Sequence, residues 1–305
     1  MMRLRLAARR ELDLLRSRRV DTRELRTVCV ALGPYRNLTT ITAAILALHP
    51  HCQVLNHAGS RILNRRRLDF IRYPDPATFD AFTRYAIQIS RGGRRGDYGG
   101  SITLSHAFAS SPKLRDMYRA AYGASPVKDV IHSVFWKESL AVANHIRQYG
   151  VDLGDLLQEN PGLRFLMPIR NPLDCAASNL KTGHASRFRG LDARAPIERV
   201  VLAILDEFRW FLELHGRYPD RFFSFFAHEF TAPTLRDMAQ FLEIDANEGW
   251  CKNAVGVFEI EQSYDHPQAL REFYANAVRE RFSDHPEFAG RLLRFLGERP
   301  EGATL

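Results

Sequence analysis

Short apolar runs that resemble β-strands alternate with helical segments along most of the chain. Five such runs are present, at residues 26–32, 52–59, 127–135, 163–169 and 222–226. The fourth is apolar apart from Arg164, as expected for a strand that is covered on both faces. Strands that alternate with helices are typical of a parallel sheet. The sequence therefore predicts an α/β fold, with a parallel sheet flanked by helices.

Composition narrows the class of protein without fixing its ligand. With 305 residues, 45% of them hydrophobic, the chain is long enough to bury a full core. Its formal net charge of +8 suits an anionic ligand, nucleic acid or an acidic membrane surface, and equally a solvated basic surface. The four cysteines form no CxxC pair, and no other metal-ligand spacing is evident. We therefore expect no metal and no disulfide framework.

Three segments are predicted along the chain. Residues 1–25 are rich in arginine and lack a continuous apolar core, which indicates an amphipathic helix and excludes a signal peptide or a membrane span. This favours a cytoplasmic protein and leaves open a peripheral membrane contact through the arginines. Residues 26–245 are predicted to form the α/β domain, with a helical and loop insertion at about 69–123. Residues 246–305 are predicted to form a helical segment that packs on the same domain.

Two predicted strand ends carry an arginine that is followed by hydroxyl residues. After the first strand, the segment "LGPYRNLTT" contains Arg36 and two threonines, and it precedes a helical pattern. After the fourth strand, Arg170 is followed by Ser178 in the next predicted helix. Arginine side chains, hydroxyl groups and helix N-terminal amides all bind phosphate or sulfonate oxygens. Because ligands of such sheets bind at the carboxyl ends of the strands, we expect a ligand with two separated anionic groups.

These two segments resemble the motifs of the sulfotransferase family, whose donor is 3′-phosphoadenosine 5′-phosphosulfate (PAPS). Residues 36–40 (RNLTT) resemble the first motif, and residues 170–178 (RNPLDCAAS) match the second completely. The resemblance implies a P-loop NTPase-like fold and these donor-binding residues: Arg36, Asn37, Leu38, Thr39, Thr40, Arg170 and Ser178. By this resemblance the first motif would hold the 5′-phosphosulfate, and Arg170 with Ser178 would hold the 3′-phosphate.

The chain departs from the family pattern at three points. Leu38 stands where the family prefers glycine, and Asn37 replaces a serine. The glycine-rich C-terminal motif of the cytosolic small-molecule branch is absent. The chain is therefore more similar to the bacterial or carbohydrate-type members.

The same resemblance suggests residues that would carry out sulfuryl transfer. Arg36 would stabilise the negative charge that grows on the bridging oxygen of the leaving nucleotide. His57 is the first candidate for the general base, because it ends the second predicted strand and histidine titrates near neutral pH. His132 and Glu138 are the alternatives, near the end of the third predicted strand. Lys137 is similar to a lysine in the family's sequence at this point.

The acceptor is predicted only as a class. A hydroxyl or amine of a small molecule, a saccharide or a lipid would suit the chemistry. The basic segments 61–73 and 91–95 favour an anionic saccharide or a lipid headgroup, unless they are solvated surface. The glycine-rich segment 90–101 is either a basic lid or a solvated linker. His184 and Arg187 follow the second motif and are candidates for contacts with the donor or the acceptor.

Two other functions fit the same fold. An ATP-dependent P-loop kinase would have a similar sheet and anion loop, although no Gly-Lys-Ser/Thr follows the first strand. A non-catalytic nucleotide-binding protein would keep the fold and the phosphate site without transfer. Nucleic-acid binding is disfavoured, since the basic residues belong to no recognition motif.

Overall fold

A six-stranded sheet forms the centre of the computed structural model, which describes residues 2–93, 99–123, 127–258 and 264–297. The strands are β1 Thr27–Ala31, β2 Cys52–Asn56, β3 Gly100–Ser101, β4 Ser133–Lys137, β5 Leu163–Ile169 and β6 Phe222–Phe226. They lie side by side in the order β3-β2-β4-β1-β5-β6. β2, β4, β1, β5 and β6 are parallel, and β3 pairs antiparallel with β2 at the edge.

The sheet confirms the predicted α/β fold and adds one strand to it. The antiparallel strand β3 was not predicted, because it has only two residues and lies in the glycine-rich segment 90–101. The third predicted strand was placed too early in the chain. Its β-rich residues at 127–132 precede the strand, and β4 consists of the buried segment Ser133–Lys137. This shift changes which edge of the sheet His132 occupies.

Helices cover both faces of the sheet. Those of the described ranges are α1 Met2–Ser17, α2 Thr39–Ala47, α3 Gly59–Ile62, α4 Pro76–Ser90, α5 His106–Ser110, α6 Pro112–Tyr122, α7 Leu140–Tyr149, α8 Leu153–Glu159, α9 Pro172–Lys181, α10 Ile197–Arg217, α11 Ala232–Phe241, α12 Glu248–Val257, α13 Gln268–Arg281 and α14 Pro286–Arg294. α2, α6, α11 and α12 contribute to the core on one face, and α4, α7, α9, α10 and α13 contribute to the core on the other.

Strand β1 shows why the apolar runs were readable as buried strands. Val28 and Val30 point into one core, and Cys29 and Ala31 point into the other. This is the two-residue alternation of a strand, with both faces apolar because helices cover both. All five residues of β1 are buried.

The segment boundaries predicted from the sequence stay predictions. A helix, α1, does lie within residues 1–25, and it packs mainly against α4. No helix within the described ranges is long and apolar enough to cross a membrane.

The topology brings the two predicted anion loops to one edge of the sheet. β1 and β5 are adjacent and parallel, so the loops that follow them leave the sheet on the same side. We call this side the carboxyl edge. The first loop leads into α2, which begins at Thr39, and the second leads into α9, which begins at Pro172. Pro172 suits the first helical turn because its missing N–H needs no partner there.

Candidate active site

Asn37 joins the two loops at the carboxyl edge. Its side chain is fully buried, and its Nδ2 donates to the carbonyl oxygen of Pro168 at the end of β5. Its Oδ1 accepts a hydrogen bond of 3.1 Å from the backbone N–H of Arg170. Both ends of the amide are therefore engaged within the protein. We assign the side chain a positioning role, since it fixes one loop against the other, and the expected contact of Asn37 with the donor stays a prediction.

Removing this bridge is expected to destabilise the protein and to weaken ligand binding. Asn37→Ala leaves the Pro168 carbonyl and the Arg170 N–H without partners, which costs about 2–3 kcal/mol of unfolding free energy. Urea denaturation measures the stability, and calorimetry with adenosine 3′,5′-bisphosphate measures the affinity. Asn160→Ala is the matched control, because Asn160 is also fully buried and donates to Leu156 O, away from the carboxyl edge. An Asn37→Ala protein with native affinity would contradict the positioning role.

Arg36 and Ser178 bring the two predicted motifs into direct contact. The Nε of Arg36 donates to the Oγ of Ser178 across 2.9 Å. Arg36 is exposed, whereas Ser178 is buried on the inner side of α9. Among the described residues no carboxylate forms an ion pair with Arg36. The contact therefore brings an exposed cation of the first motif beside a hydroxyl of the second, and both groups can bind anionic oxygens.

Arg170 lies just beneath this pair and is largely held by the protein. Its Nη1 donates to the carbonyl oxygen of Arg36 at 3.3 Å, and its Nη2 lies 3.6 Å from the carboxylate of Asp174. The Arg170 side chain is only 7% exposed. Its charge thus acts from inside the loop, and the same guanidinium fixes the backbone at Arg36.

Asp174 connects the second motif to the C-terminal part of the chain. Its Oδ1 lies 2.8 Å from Nε2 of His266 and accepts from the backbone N–H of Tyr264 at 3.1 Å. This contact was not predicted, because nothing around His266 in the sequence marks it as a partner of α9. It places residues 264–266 beside the predicted 3′-phosphate site.

Backbone strain is concentrated in the loops at the carboxyl edge. Five non-glycine residues of the described ranges have positive φ, and four of them lie after β1 or β2: Arg36, Leu38, His57 and Ala58. A left-handed conformation costs a non-glycine residue about 1–2 kcal/mol. Strain of this kind persists only where the surroundings enforce it, and it is common at functional sites.

The N-terminus of α2 is open to an anion. Leu38 occupies the N-cap in the left-handed conformation, with no side-chain hydrogen bond to the first turn. The amides of that turn therefore lack a side-chain cap, and the helix dipole favours negative charge there. Thr39 is buried and Thr40 half-buried at the start of the helix. Leu38 is held in a left-handed conformation that glycine, the residue the family prefers here, adopts without steric cost.

A second group of site residues lies on the neighbouring strands. The Nζ of Lys137, the last residue of β4, lies 2.9 Å from Nε2 of His57, which directly follows β2. Nδ1 of His57 lies 3.9 Å from the carboxylate of Glu138. Glu138 is buried, and its Oε2 accepts from the Gly59 N–H at 3.1 Å. The imidazole therefore lies between an ammonium and a carboxylate at the carboxyl edge.

Lys137 is the most perturbed titratable group of this cluster. Burial lowers its pKa from 10.5 to about 8, the charge of Glu138 opposes this shift, and the charge of Arg36 adds to it. The lysine is thus mostly protonated at neutral pH, and it adds positive charge near Arg36.

Two buried acceptor oxygens at this edge have no hydrogen-bond partner among the described residues. They are Oδ1 of Asn56, which ends β2, and Oε1 of Glu138. Asn56 is in register with Lys137 across the β2–β4 pair. Since buried polar atoms normally have partners, these oxygens suit a ligand that brings hydrogen-bond donors, such as a hydroxyl or an amine.

The structure does not bring His132 to this site. It precedes β4, so it lies at the opposite, amino edge of the sheet, where its Nδ1 is 3.1 Å from Nδ1 of His51. Its placement near the carboxyl end of a strand was wrong because the strand begins one residue later than His132. His132 is therefore excluded as the base for a reaction at Arg36.

The other basic candidates are divided between the site and the surface. The ring of His184 packs against that of Tyr35 in a tilted arrangement, with centroids 5.4 Å apart, and its pKa is lowered by burial and by the charges of Arg36, Arg187 and His57. These groups therefore share one positive region. In segment 61–73, Arg61 pairs with Asp13 at 3.2 Å, which makes it a structural residue. Residues 94–98 of the predicted lid lie outside the described ranges.

Comparisons with known proteins bear on the fold. No protein-family model and no curated protein matches the chain. Solved structures similar to it include a mouse sulfotransferase, SULT7A1, complexed with PAP, at 13% identity and a TM-score of 0.46, covering 93% of each chain.

Two bacterial structures are also similar. They are sulfotransferase STF9 from Mycobacterium avium, at 14% identity and a TM-score of 0.42, covering 89% of this chain and 78% of the other, and a sulfotransferase from Alicyclobacillus acidocaldarius, at 15% identity and a TM-score of 0.38, covering 90% and 97%.

Proposed function

We propose that the chain is a sulfotransferase that moves a sulfuryl group from PAPS to a hydroxyl or amine of an acceptor. The observation that carries this proposal is the contact between the two motif loops, in which Arg36 donates to Ser178 at 2.9 Å. Asn37 and Arg170 hold the loops in this arrangement. The loops combine two arginines, a serine hydroxyl and the uncapped N-terminus of α2, which together fit a nucleotide with separate phosphate groups.

The roles of the residues follow from their positions. Arg36, with Thr39, Thr40 and the first turn of α2, is assigned to the 5′-phosphosulfate. Ser178 and the charge of Arg170 are assigned to the 3′-phosphate. When bound, PAPS supplies the sulfuryl group and a nucleotide leaving group whose bridging oxygen gains negative charge. Arg36 remains protonated, so it stabilises this charge electrostatically and donates no proton.

The second group of residues is assigned to the acceptor. His57 is the proposed base, because its ring lies at the carboxyl edge beside Lys137 and Glu138. Nε2 of His57 can take the proton of the acceptor hydroxyl or amine only after the Nζ of Lys137 has moved away from that nitrogen. The ammonium of Lys137 can then pair with a sulfuryl oxygen. Glu138 is assigned two roles. It orients the imidazole of His57, and its Oε1 accepts a hydrogen bond from the substrate that receives the sulfuryl group. Every role in this proposal is assigned to a side chain or to a helix N-terminus of this chain.

The alternatives are separated by nucleotide preference and by turnover. A P-loop kinase would bind ATP with magnesium through a loop lysine, and "LGPYRNLTT" contains none. A non-catalytic binding protein would retain affinity for the nucleotide without transferring sulfate. A kinase would therefore prefer ATP with magnesium to adenosine 3′,5′-bisphosphate, and a binding protein would show affinity for the bisphosphate without turnover of PAPS.

Calorimetry with adenosine 3′,5′-bisphosphate, compared with ATP and magnesium, tests the donor site. We expect the native chain to prefer the bisphosphate. Arg170→Ala is expected to lose about 2–5 kcal/mol of binding free energy, because it removes a buried cation from the phosphate site. Arg164→Ala is the control, since Arg164 lies on the same strand, toward its amino end, and pairs with Glu243 at 2.9 Å.

Ser178→Ala distinguishes a loss of binding contacts from a loss of folded structure in Arg170→Ala. Arg170→Ala leaves Asp174 buried without its cation and can unfold the loop, whereas Ser178→Ala removes one oxygen from a small side chain. We expect a loss of about tenfold in affinity from the hydroxyl alone. A preference for ATP, or native affinity in both variants, would overturn the proposal. PAPS turnover with phenol, saccharide and amine acceptors then separates an enzyme from a binding protein.

A further inference from the structure

The outer face of α1 combines exposed leucines with arginines. Leu12 is 43% exposed and Leu15 is 57% exposed, and they are two of only five large hydrophobic residues exposed to this degree in the described ranges. Their three-residue spacing places them on one face of the helix. Arg9 and Arg16 lie three residues before and four residues after Leu12, so they flank it on that face, and both are exposed.

The inner face of α1 fixes this orientation. Asp13 pairs with Arg61 at 3.2 Å, and the same guanidinium donates to the hydroxyl of Tyr85 at 3.0 Å. Glu11 pairs with Arg65 at 2.9 Å. Leu14 packs against the core. Because the acidic residues Glu11 and Asp13 face partners on the protein, the solvent side of the helix keeps its leucines and arginines.

A groove beside α1 extends the cationic surface. It has a volume of about 630 Å³, and Leu14, Leu15 and Leu68 contribute apolar lining. Arg18, Arg66 and Arg67 also line it, and its two carboxylates, Glu11 and Asp80, are paired with Arg65 and Arg84. Among the described residues no carboxylate lies within ion-pair distance of the exposed arginines of this surface, namely Arg9, Arg16, Arg18, Arg19, Arg66 and Arg67.

We propose that α1 and residues 65–68 form a docking surface for an anionic lipid bilayer. Arginines attract the anionic headgroups, and leucines on the same face enter the boundary between headgroups and acyl chains. The groove offers the apolar lining and the cationic rim that a lipid with a negative headgroup requires. A nucleic acid would use the arginines but would gain nothing from the exposed leucines, which is why a bilayer is the better partner.

The surface lies close to the candidate active site. Helix α3 contacts Glu138 through the Gly59 N–H, and it contacts α1 through Arg61. A bilayer bound to the outer face of α1 is therefore connected to the carboxyl edge through α1 and α3. The proposal itself does not depend on sulfate transfer, because it concerns lipid binding alone.

Co-sedimentation with vesicles tests the proposal on the full chain. We expect binding to vesicles of equal parts phosphatidylcholine and phosphatidylglycerol, weakened by salt, and no binding to phosphatidylcholine alone. Arg66→Gln with Arg67→Gln is expected to lower the partition coefficient about 30-fold, since each arginine near the surface contributes about 1 kcal/mol. Leu12→Gln with Leu15→Gln is expected to lower it about tenfold while the salt dependence remains.

A charge-matched control separates local from global effects. Arg217→Gln with Arg279→Gln makes the same change in net charge at two exposed positions on α10 and α13, helices that pack against each other. This control is expected to bind like the native chain, and circular dichroism confirms that each variant is folded. Equal binding to both kinds of vesicle, an equal loss in the control, or no effect of the leucine variant would overturn the proposal. Competition by an oligonucleotide with native binding in the leucine variant would identify nucleic acid as the partner instead.

Discussion

Arg36→Gln is expected to lower the turnover of PAPS by about 10²–10³-fold, which corresponds to about 2.7–4 kcal/mol of transition-state stabilisation. The reason is positional: Arg36 is the exposed cation at the meeting point of the two loops, and no carboxylate of the described residues neutralises it. The affinity for adenosine 3′,5′-bisphosphate is expected to fall much less, because Ser178, Arg170 and the start of α2 remain. The turnover is measured at a saturating concentration of PAPS. Calorimetry measures the affinity for adenosine 3′,5′-bisphosphate, the nucleotide product.

Two further variants show whether charge or geometry matters at this position. Arg36→Lys keeps the positive charge and loses the Nε contact with Ser178, so it is expected to retain most of the turnover that Arg36→Gln loses. Arg217→Gln removes an exposed arginine at the end of α10 and serves as the control for net charge. Equal losses of turnover and of bisphosphate affinity in Arg36→Gln would contradict a role specific to the transition state.

The sequence was sufficient for the parts of the fold that depend on local pattern. Leu163–Ile169 and Phe222–Phe226 form strands with the predicted bounds, because apolar runs of this length have few alternatives once helices flank them. The carboxyl edge was also predictable, since parallel strands bring their ends together. The sequence therefore predicted both motifs at the carboxyl ends of the strands, as two separate anion sites, and it did not predict the direct contact of Arg36 with Ser178.

What the sequence did not predict depends on contacts between distant residues. Asn37 was read as a ligand contact, and the structure uses its amide to join two loops, because only the packed sheet brings Pro168 and Arg170 to it. His132 was misplaced by a strand boundary, which local propensity fixes poorly. The contact of His266 with Asp174 spans 92 residues and has no local signal.

The pairing of Lys137 with His57 shows both limits at once. The sequence identified both residues as candidates, from the end of a strand and from the family resemblance. It did not show that the Nζ of Lys137 lies 2.9 Å from Nε2 of His57. That nitrogen is the atom that would accept a proton if His57 were the base. That arrangement links the charge of Lys137 to the availability of His57.

Lys137→Met is expected to stabilise the protein while it impairs the site. Burial lowers the pKa of Lys137 from 10.5 to about 8, so the native state carries an unfavourable charge below about pH 8. Replacing the ammonium with an apolar side chain of similar length is expected to raise the unfolding free energy by about 1–3 kcal/mol at neutral pH. The upper limit of this range corresponds to the shift in the pKa of Lys137. The variant also loses the contact with His57, which makes the expected gain in unfolding free energy smaller.

The pH dependence of this gain identifies its cause. Between about pH 8 and 10.5 the unfolded lysine binds a proton that the native one has lost, so the stability of the native chain rises with pH relative to the variant. The gain from Lys137→Met therefore disappears above about pH 10.5. Urea denaturation of both proteins at several pH values measures this difference. A gain in unfolding free energy that does not change with pH would show that the buried charge of Lys137 is not its cause.

Lys128→Met separates stability from function. Burial also lowers the pKa of Lys128, to about 7, and its Nζ donates to Ala47 O at the end of α2, far from the first turn of that helix. Both methionine variants are expected to be stabilised at neutral pH, but only Lys137→Met is expected to lose PAPS turnover and affinity for the bisphosphate. This contrast follows from the positions of the two lysines, because only Lys137 lies at the carboxyl edge, beside His57 and near Arg36.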